Sequence, residues 1–224
     1  MSSGSGRRRE AKPAELRVDA RRNQQRILRA AAHVLADDPA AGMQRIADEA
    51  QVARLTVYRR YPTREALIEA ILGEAVAEFE SAMDEADSPH TDAPRAIGHL
   101  IRALAGIGAK YPILLQGNAA SGQEPARHES GQTGHDTTAI VERFDALIAR
   151  GQADGTVRPD LTPELLRYSL FGALAMSLRL ARGRADDHLH TADDIGTQVA
   201  SIIVDGLRPP AAREAVRAHP PVSP

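Results

Sequence analysis

Between Arg54 and Tyr61 the chain sets guanidinium groups, a threonine hydroxyl, a phenol and one bare leucine into about two helical turns. Guanidinium groups donate paired hydrogen bonds to phosphate or to guanine O6 and N7, hydroxyls hold phosphate oxygens, and an apolar side chain can meet a thymine methyl. At about 100° per residue, Val57 and Tyr61 point one way, Leu55, Thr56 and Arg59 lie on the far side, and Tyr58 flanks them. Such a helix packs Val57 and Tyr61 on Ile46 and on the helix before it, and offers Leu55, Thr56 and Arg59 to a major groove. Arg54, at the helix start, can reach DNA even from off that face. Spacing alone also allows a plain helical hairpin whose polar face is only solvated.

Positioning those residues takes a second short helix and a scaffold. Met43, Ile46, Ala47 and Ala50 share a face, a break follows at Gln51-Val52-Ala53, and Gln44 sits in the first turn as a further candidate DNA contact. Ahead of them Ile27, Leu28, Ala31, Val34 and Leu35 mark an amphipathic helix from Asp19 to the stop at Asp37-Asp38-Pro39. Two short helices joined by about three residues behind a longer one make a helix-turn-helix. Thr63 is the expected N-cap of a long helix over 64–86, with Glu65 in its first turn. Further helices are expected at Ile97 to Ile107, Tyr111 to Gln116, around Ile140 to Ile148, from Leu161 to Arg182 and from Thr191 to Leu207. The Gly, Ser and Gln-rich stretch 117–134 reads as a mobile loop. Nothing alternates with period two, so the predicted fold is all-α with about nine helices. The expected organisation is a disordered basic arm over 1–18, a DNA-binding domain over 19–66, a ligand-binding and dimerisation domain over 67–208, and a disordered tail over 209–224.

The chain has 224 residues, 42% apolar and 26% charged, which suits a globular protein and excludes a wholly disordered or fibrous one. No apolar run approaches the roughly 18 residues of a membrane span, and no apolar segment follows the basic N-terminus, so a cytoplasmic, soluble protein is expected. Zero Cys excludes disulfides, zinc fingers, iron–sulfur ligation and thiol catalysis. Residues 1–70 carry 14 Lys+Arg against 9 Asp+Glu, although the whole chain is −2. An asymmetry of that sign points to a nucleic-acid-facing first third. Removing the arm still leaves +2 over 19–70.

The segment IADEAQVARLTVYRRYPTREALIEAIL resembles the N-terminal DNA-binding domain of the TetR family of transcriptional regulators, over about residues 21–72. Ile46-Ala47, Ala50, Val52, Thr56, Tyr58, Tyr61 and Thr63-Arg64-Glu65-Ala66-Leu67 carry the match, with a weaker echo in GQADGTVRPDLTPELL and IVDGLRP. The resemblance implies that Thr56 and Tyr58 touch DNA, the Tyr through a phosphate, and that Arg64 holds another phosphate. Arg59, and less so Arg54, are then the expected base readers. Arg21 or Arg22 at the start of the first helix is expected to clamp a phosphate or simply to be solvated. Three positions depart from the family pattern. Gln51 stands where glycine is usual in a left-handed turn, Leu55 where a small residue is usual, and Ala41-Gly42 where Ser or Thr commonly caps the second helix.

One helix-turn-helix makes few base contacts, so a homodimer on a pseudo-palindromic double-stranded operator is expected. Leu166, Leu170, Leu174 and Leu178, with Ile195, Val199, Ile202 and Ile203, are the expected dimer interface; the competing reading is intrachain core. A small-molecule effector is expected among the middle helices. Its candidate lining is Phe79, Met83, Leu104, Tyr111 and Phe144, with Tyr168, Phe171 and Met176, and His99 or Arg102 as a polar anchor. No cofactor or metal is implied. His128, His135 and the run Asp186-Asp187-His188-Leu189-His190 with Asp193-Asp194 lack a ligand motif's spacing and read as solvated loop. With no phosphate loop and no nucleophile motif, an enzyme is not expected, and the alternative to a ligand-released repressor is a helical protein-interaction module that does not bind DNA.

Overall fold

A computed structural model describes residues 13–86, 91–115, 137–183 and 191–209. These residues form eight α-helices and one 3₁₀ turn, with no strand among them, so the fold is all-α as the periodicity predicts. The stretch expected to be a mobile loop, His128 and His135 within it, and the run 186–190 lie outside the described residues. Two compact units divide between Leu67 and Ile68.

The first unit holds α1 (Pro13–Asp37), α2 (Met43–Glu49), α3 (Arg54–Arg60) and the first turn of α4 (Arg64–Ala86). α1 begins at Pro13, which corrects the expected start at Asp19 and the expected disorder over 13–18. Proline suits the first helical position, and Ala, Glu and Leu follow it, so good helix formers carry the helix beyond its apolar stripe. Ile27, Leu28, Ala31 and Leu35 of α1, Ile46 and Ala47 of α2, Ala50, and Val57 of α3 are all buried. α2 ends in a Schellman motif: the N–H of Val52 donates to the Ala47 carbonyl at 3.0 Å and that of Gln51 to the Asp48 carbonyl at 3.0 Å. That closure places Gln51 at φ 54, the left-handed conformation for which glycine is the usual residue. The Thr63 hydroxyl accepts the Ala66 N–H at 3.1 Å, the cap expected for α4. Gly42 caps α2 with no side-chain bond.

The second unit comprises the rest of α4, then α5 (Ala93–Lys110), a 3₁₀ turn (Pro112–Leu115), α6 (Thr138–Ala153), α7 (Pro163–Gly183) and α8 (Ala192–Leu207). α5 packs on α6, α7 and most extensively on α8. Its Asp92 N-cap accepts the Arg95 N–H at 2.9 Å, and Thr191 and Asp194 form a reciprocal capping box on α8. Asp194 thereby acquires a structural role. α5 and α8 approach closely because two glycines leave room. A Cβ on Gly98 would lie 2.9 Å from Val204 Cγ2, and one on Gly196 would lie 2.6 Å from Ala105 Cβ. Those pairings also make the two helices antiparallel.

Arg167, 6% exposed, donates from Nε to Asp145 Oδ1 at 2.8 Å and ties α7 to α6. Burial alone would lower the Arg167 pKa, but the hydrogen bond and charge of Asp145 outweigh it and raise the value. Lys110 and the Tyr111 hydroxyl both donate to Glu78 Oε1, the latter at 3.0 Å, which fixes α5 to α4.

Candidate nucleic-acid interface

The two faces of α3 separate as its wheel predicts. Val57 is fully buried and Tyr61 nearly so, while Leu55 is 68% exposed, Arg54 and Arg59 are exposed, and Thr56 and Tyr58 are half-buried. A leucine two-thirds exposed in the middle of a polar face has no role in holding the first unit together. Arg59 makes no hydrogen bond or ion pair among the described residues, so its guanidinium is available as a donor. Arg54 is pre-ordered: its guanidinium carbon lies 5.0 Å from the centroid of the Tyr58 ring, and Nη2 donates to the Tyr58 hydroxyl at 3.1 Å. That pair spans one turn and gives the two groups a common orientation.

The flanking candidates are less uniform. Arg21 is exposed on α1. Gln44 is exposed, but its amide donates to Asp48 Oδ1 at 2.7 Å within α2, so reaching a phosphate would exchange that bond. Arg64 is half-buried and its Nη1 sits 3.5 Å from the Ala41 carbonyl, a long contact at the limit of hydrogen bonding. Two features escaped the sequence reading. Arg60 donates to Gln24 Oε1 and ties α3 to α1, a role consistent with its place three residues beyond the buried Val57. Arg22, Arg26 and Arg29, followed by His33, line a cleft of about 480 Å³ on α1 whose opposite wall includes Glu49. Their spacing of four, three and four residues was the available signal for a basic helical stripe.

In the second unit most of the expected dimer residues lie within the chain's own core. Leu166, Leu170, Leu174, Leu178, Ile195, Val199 and Ile203 are all buried within the single chain, and only Ile202, at 73% exposure, faces outward. The exposed large apolar side chains of this unit are Leu165, Met176 and Leu180 on one face of α7, and Ile202 on α8. Gly172 and Ala173 lie on that same α7 face and are exposed.

The expected pocket residues do not gather around one cavity among the described residues. Tyr111 is fully buried with its hydroxyl on Glu78, and Phe144 is fully buried with its ring 5.1 Å from that of Phe171, so both are core. Tyr168 lies half-buried beneath the Arg167 guanidinium, whose carbon is 4.6 Å from its ring centroid. Phe79 is buried, Leu104 half-buried, and Met176 solvent-facing. His99 is half-exposed, with Nε2 3.8 Å from Glu85 Oε2. Only Met83 borders a described cavity, one of about 280 Å³ that it shares with Ala86, Leu100 and Leu147, with Arg143 and Arg150 also on its lining. Among the described residues no cluster of His, Asp or Glu is arranged to hold a metal, and no helix is long and apolar enough to cross a membrane.

Residues 27–71 match the sequence profile described as bacterial regulatory proteins, tetR family. No curated protein matches the chain by sequence. Among solved structures, the TetR transcriptional regulator SCO0520 from Streptomyces coelicolor is 28% identical, with 84% of this chain and 99% of that one covered at a TM-score of 0.51. The ketosteroid transcriptional regulator KstR2 of Mycobacterium tuberculosis is 17% identical, with 83% and 94% covered at a TM-score of 0.65. The transcriptional regulator FadR from Bacillus subtilis, solved with stearoyl-CoA, is 18% identical, with 82% and 98% covered at a TM-score of 0.59. The last two similarities speak to the fold, and the profile match speaks to the helix-turn-helix. Residues 27–71 thus carry the DNA-binding segment of the tetR family of bacterial regulatory proteins, followed in the chain by an all-helical body whose fold is similar to that of solved transcriptional regulators.

Proposed function

We propose that the protein is a repressor that binds a pseudo-palindromic operator as a homodimer and leaves it when a small molecule binds the helical body. The observation that carries the DNA half of this reading is α3, where an exposed Leu55 and an unengaged Arg59 share a face opposite the buried Val57. Arg59, with Arg54, reads base edges; Thr56, Tyr58, Arg64, Arg21 and Gln44 hold the backbone; Leu55 meets a thymine methyl. The basic stripe on α1 adds positive potential on the flank.

The exposed face of Leu165, Met176 and Leu180 on α7, with Ile202 on α8, supports the dimer. A second copy of the chain is its occupant: a two-fold axis sets like faces together, and Gly172 and Ala173 allow two α7 helices to approach closely. The cavity beside Met83 supports the effector half. The apolar walls suit a small molecule with an apolar part, Arg143 on the lining is paired with Asp84 at 2.8 Å, and one regulator of similar fold was solved with stearoyl-CoA. Such a ligand acts only through unequal affinity for the DNA-competent and incompetent states.

The test is selection of bound sequences from a random DNA pool by purified protein at two salt concentrations. An enriched palindrome supports the reading and gives the half-site spacing. A folded dimer that enriches nothing, with or without extraction of bound small molecules, refutes it in favour of a helical protein-interaction module.

A further inference from the structure

A second cleft in the body, of about 690 Å³, lies between α5, the turn after α6, and α8, and it is lined by three arginines, Arg95, Arg102 and Arg208. All three are exposed, and none makes a side-chain hydrogen bond or ion pair among the described residues. Like charges gathered without partners repel one another, so their convergence on one cleft costs free energy that a multiply charged anion would repay. The one carboxylate on the lining, Asp92, is already engaged as the N-cap of α5, where it accepts the Arg95 N–H at 2.9 Å.

The helix register sets where each group lies. Arg95 and Arg102 are two turns apart on one face of α5, about 10 Å of rise. Gly98 stands between them, and a Cβ built there would lie 3.9 Å from Arg102 Nη1, so the Arg102 side chain lies close over the glycine. α8 runs antiparallel, with Val204 against Gly98 and Gly196 against Ala105. That register brings Arg208 alongside Arg95, and the hydroxyls of Thr197 and Ser201 alongside Arg102. Neither hydroxyl is engaged elsewhere among the described residues. The cleft is therefore elongated, with a guanidinium pair at one end and a guanidinium with two hydroxyls at the other.

A single carboxylate fills one guanidinium fork, whereas three forks and two hydroxyls along one groove match several tetrahedral oxyanions in a row. We propose that this cleft binds a ligand through an oligophosphate group, at a site separate from the α3 surface and from the cavity beside Met83. Pro209 at the Arg95 end adds apolar surface against which the rest of such a ligand can lie.

Titration calorimetry of the full chain with magnesium-free tripolyphosphate and with ATP tests the proposal. The expected result is one saturable site per chain that weakens at least about tenfold in Arg102→Ala/Arg208→Ala and stays within about twofold of wild type in Arg22→Ala/Arg59→Ala. The second variant controls for anion binding by the DNA-facing surface, so the outcome is independent of the operator reading. All four arginines are exposed, so alanine there keeps the fold, which the unliganded thermal midpoint checks. Arg102→Lys, which retains the charge, keeps part of the affinity. Tighter binding of ATP assigns a nucleotide-bearing ligand, and equal binding assigns the oligophosphate alone. Absence of a saturable site, or equal affinity in the Arg102→Ala/Arg208→Ala variant, overturns the proposal.

Discussion

Leu55→Ala separates an apolar DNA contact from an ionic one. Truncating leucine to alanine removes about three methylene equivalents, worth about 2.4 kcal/mol for complete burial at about 0.8 kcal/mol each. Leu55 is 68% exposed in the free protein, so about two-thirds of that remains for DNA to bury, roughly 1.6 kcal/mol or about 15-fold in affinity. Fluorescence anisotropy on the selected operator should show this loss at every salt concentration with the slope of log K against log salt unchanged, because an apolar contact releases no counterions. Arg59→Ala should instead cost about 1–3 kcal/mol and relax the base preference at its position. Replacing the contacted thymine by uracil completes a cycle: the change weakens wild type by about 0.8 kcal/mol, the value of one methyl group, and leaves Leu55→Ala unaffected. Urea denaturation should place the variant within about 0.5 kcal/mol of wild type, as for any exposed side chain. A destabilisation well beyond that, or an operator affinity equal to wild type, would refute the assignment of Leu55 to the DNA-facing surface.

Arg64→Ala should weaken binding to all DNA sequences alike and lower the salt slope by about 1, with stability near wild type because its contact with the Ala41 carbonyl is only a marginal 3.5 Å bond; filter binding across salt reads both. Ile202→Glu should yield a folded monomer in sedimentation velocity, since that side chain is 73% exposed; Leu174→Ala, at 4% exposure, should cost about 2–5 kcal/mol of fold stability instead. Monomeric behaviour of wild type, or an unchanged dimer in Ile202→Glu, would remove that face from the interface. The Asp154 carboxyl is held below its ordinary value of 3.8 by the Thr156 hydroxyl first and then by the Thr156 N–H. A depressed folded-state value adds stability that is complete above 3.8 and is lost as pH falls through the lower value. Thr156→Ala should therefore open a stability gap at neutral pH that narrows in denaturation series taken below that value, and a gap independent of pH would exclude the carboxyl as its source.

The helix-turn-helix unit was legible in the sequence because its signals are local. Val57 and Tyr61 sit one turn apart, Thr63 precedes the first turn it caps, and Gln51 occupies the residue after the cap of a seven-residue helix, where the Schellman bonds demand a positive φ. Each of those inferences needs only the residues within about a turn. The start of α1 was missed for a related reason: its first residues have helix-forming types but no apolar stripe, and periodicity reports only helices that bury a face.

The interface could not be read that way. On α7 the stripe of Leu166, Leu170, Leu174 and Leu178 and the stripe of Leu165, Met176 and Leu180 lie roughly 130° apart at about 100° per residue, and both are apolar. A helix that is apolar nearly all round gives its strongest signal to the stripe with the most leucines, and that is the one its own chain covers. What distinguishes the outward stripe is composition: Ser169, Gly172 and Ala173 dilute it, which weakens it as core and suits it to close approach by another helix. The large side chains expected to line a pocket are hard to place for the complementary reason. Size and chemistry point to Tyr111 and Phe144, yet the largest side chains are those a core of this aromatic-poor composition most needs to fill space, and both are fully buried. Arg102 could be read in the sequence as a polar anchor, but its grouping with Arg95 and Arg208 could not, because two lie on α5 and the third on α8, and only the antiparallel register enforced by Gly98 and Gly196 brings them to one cleft.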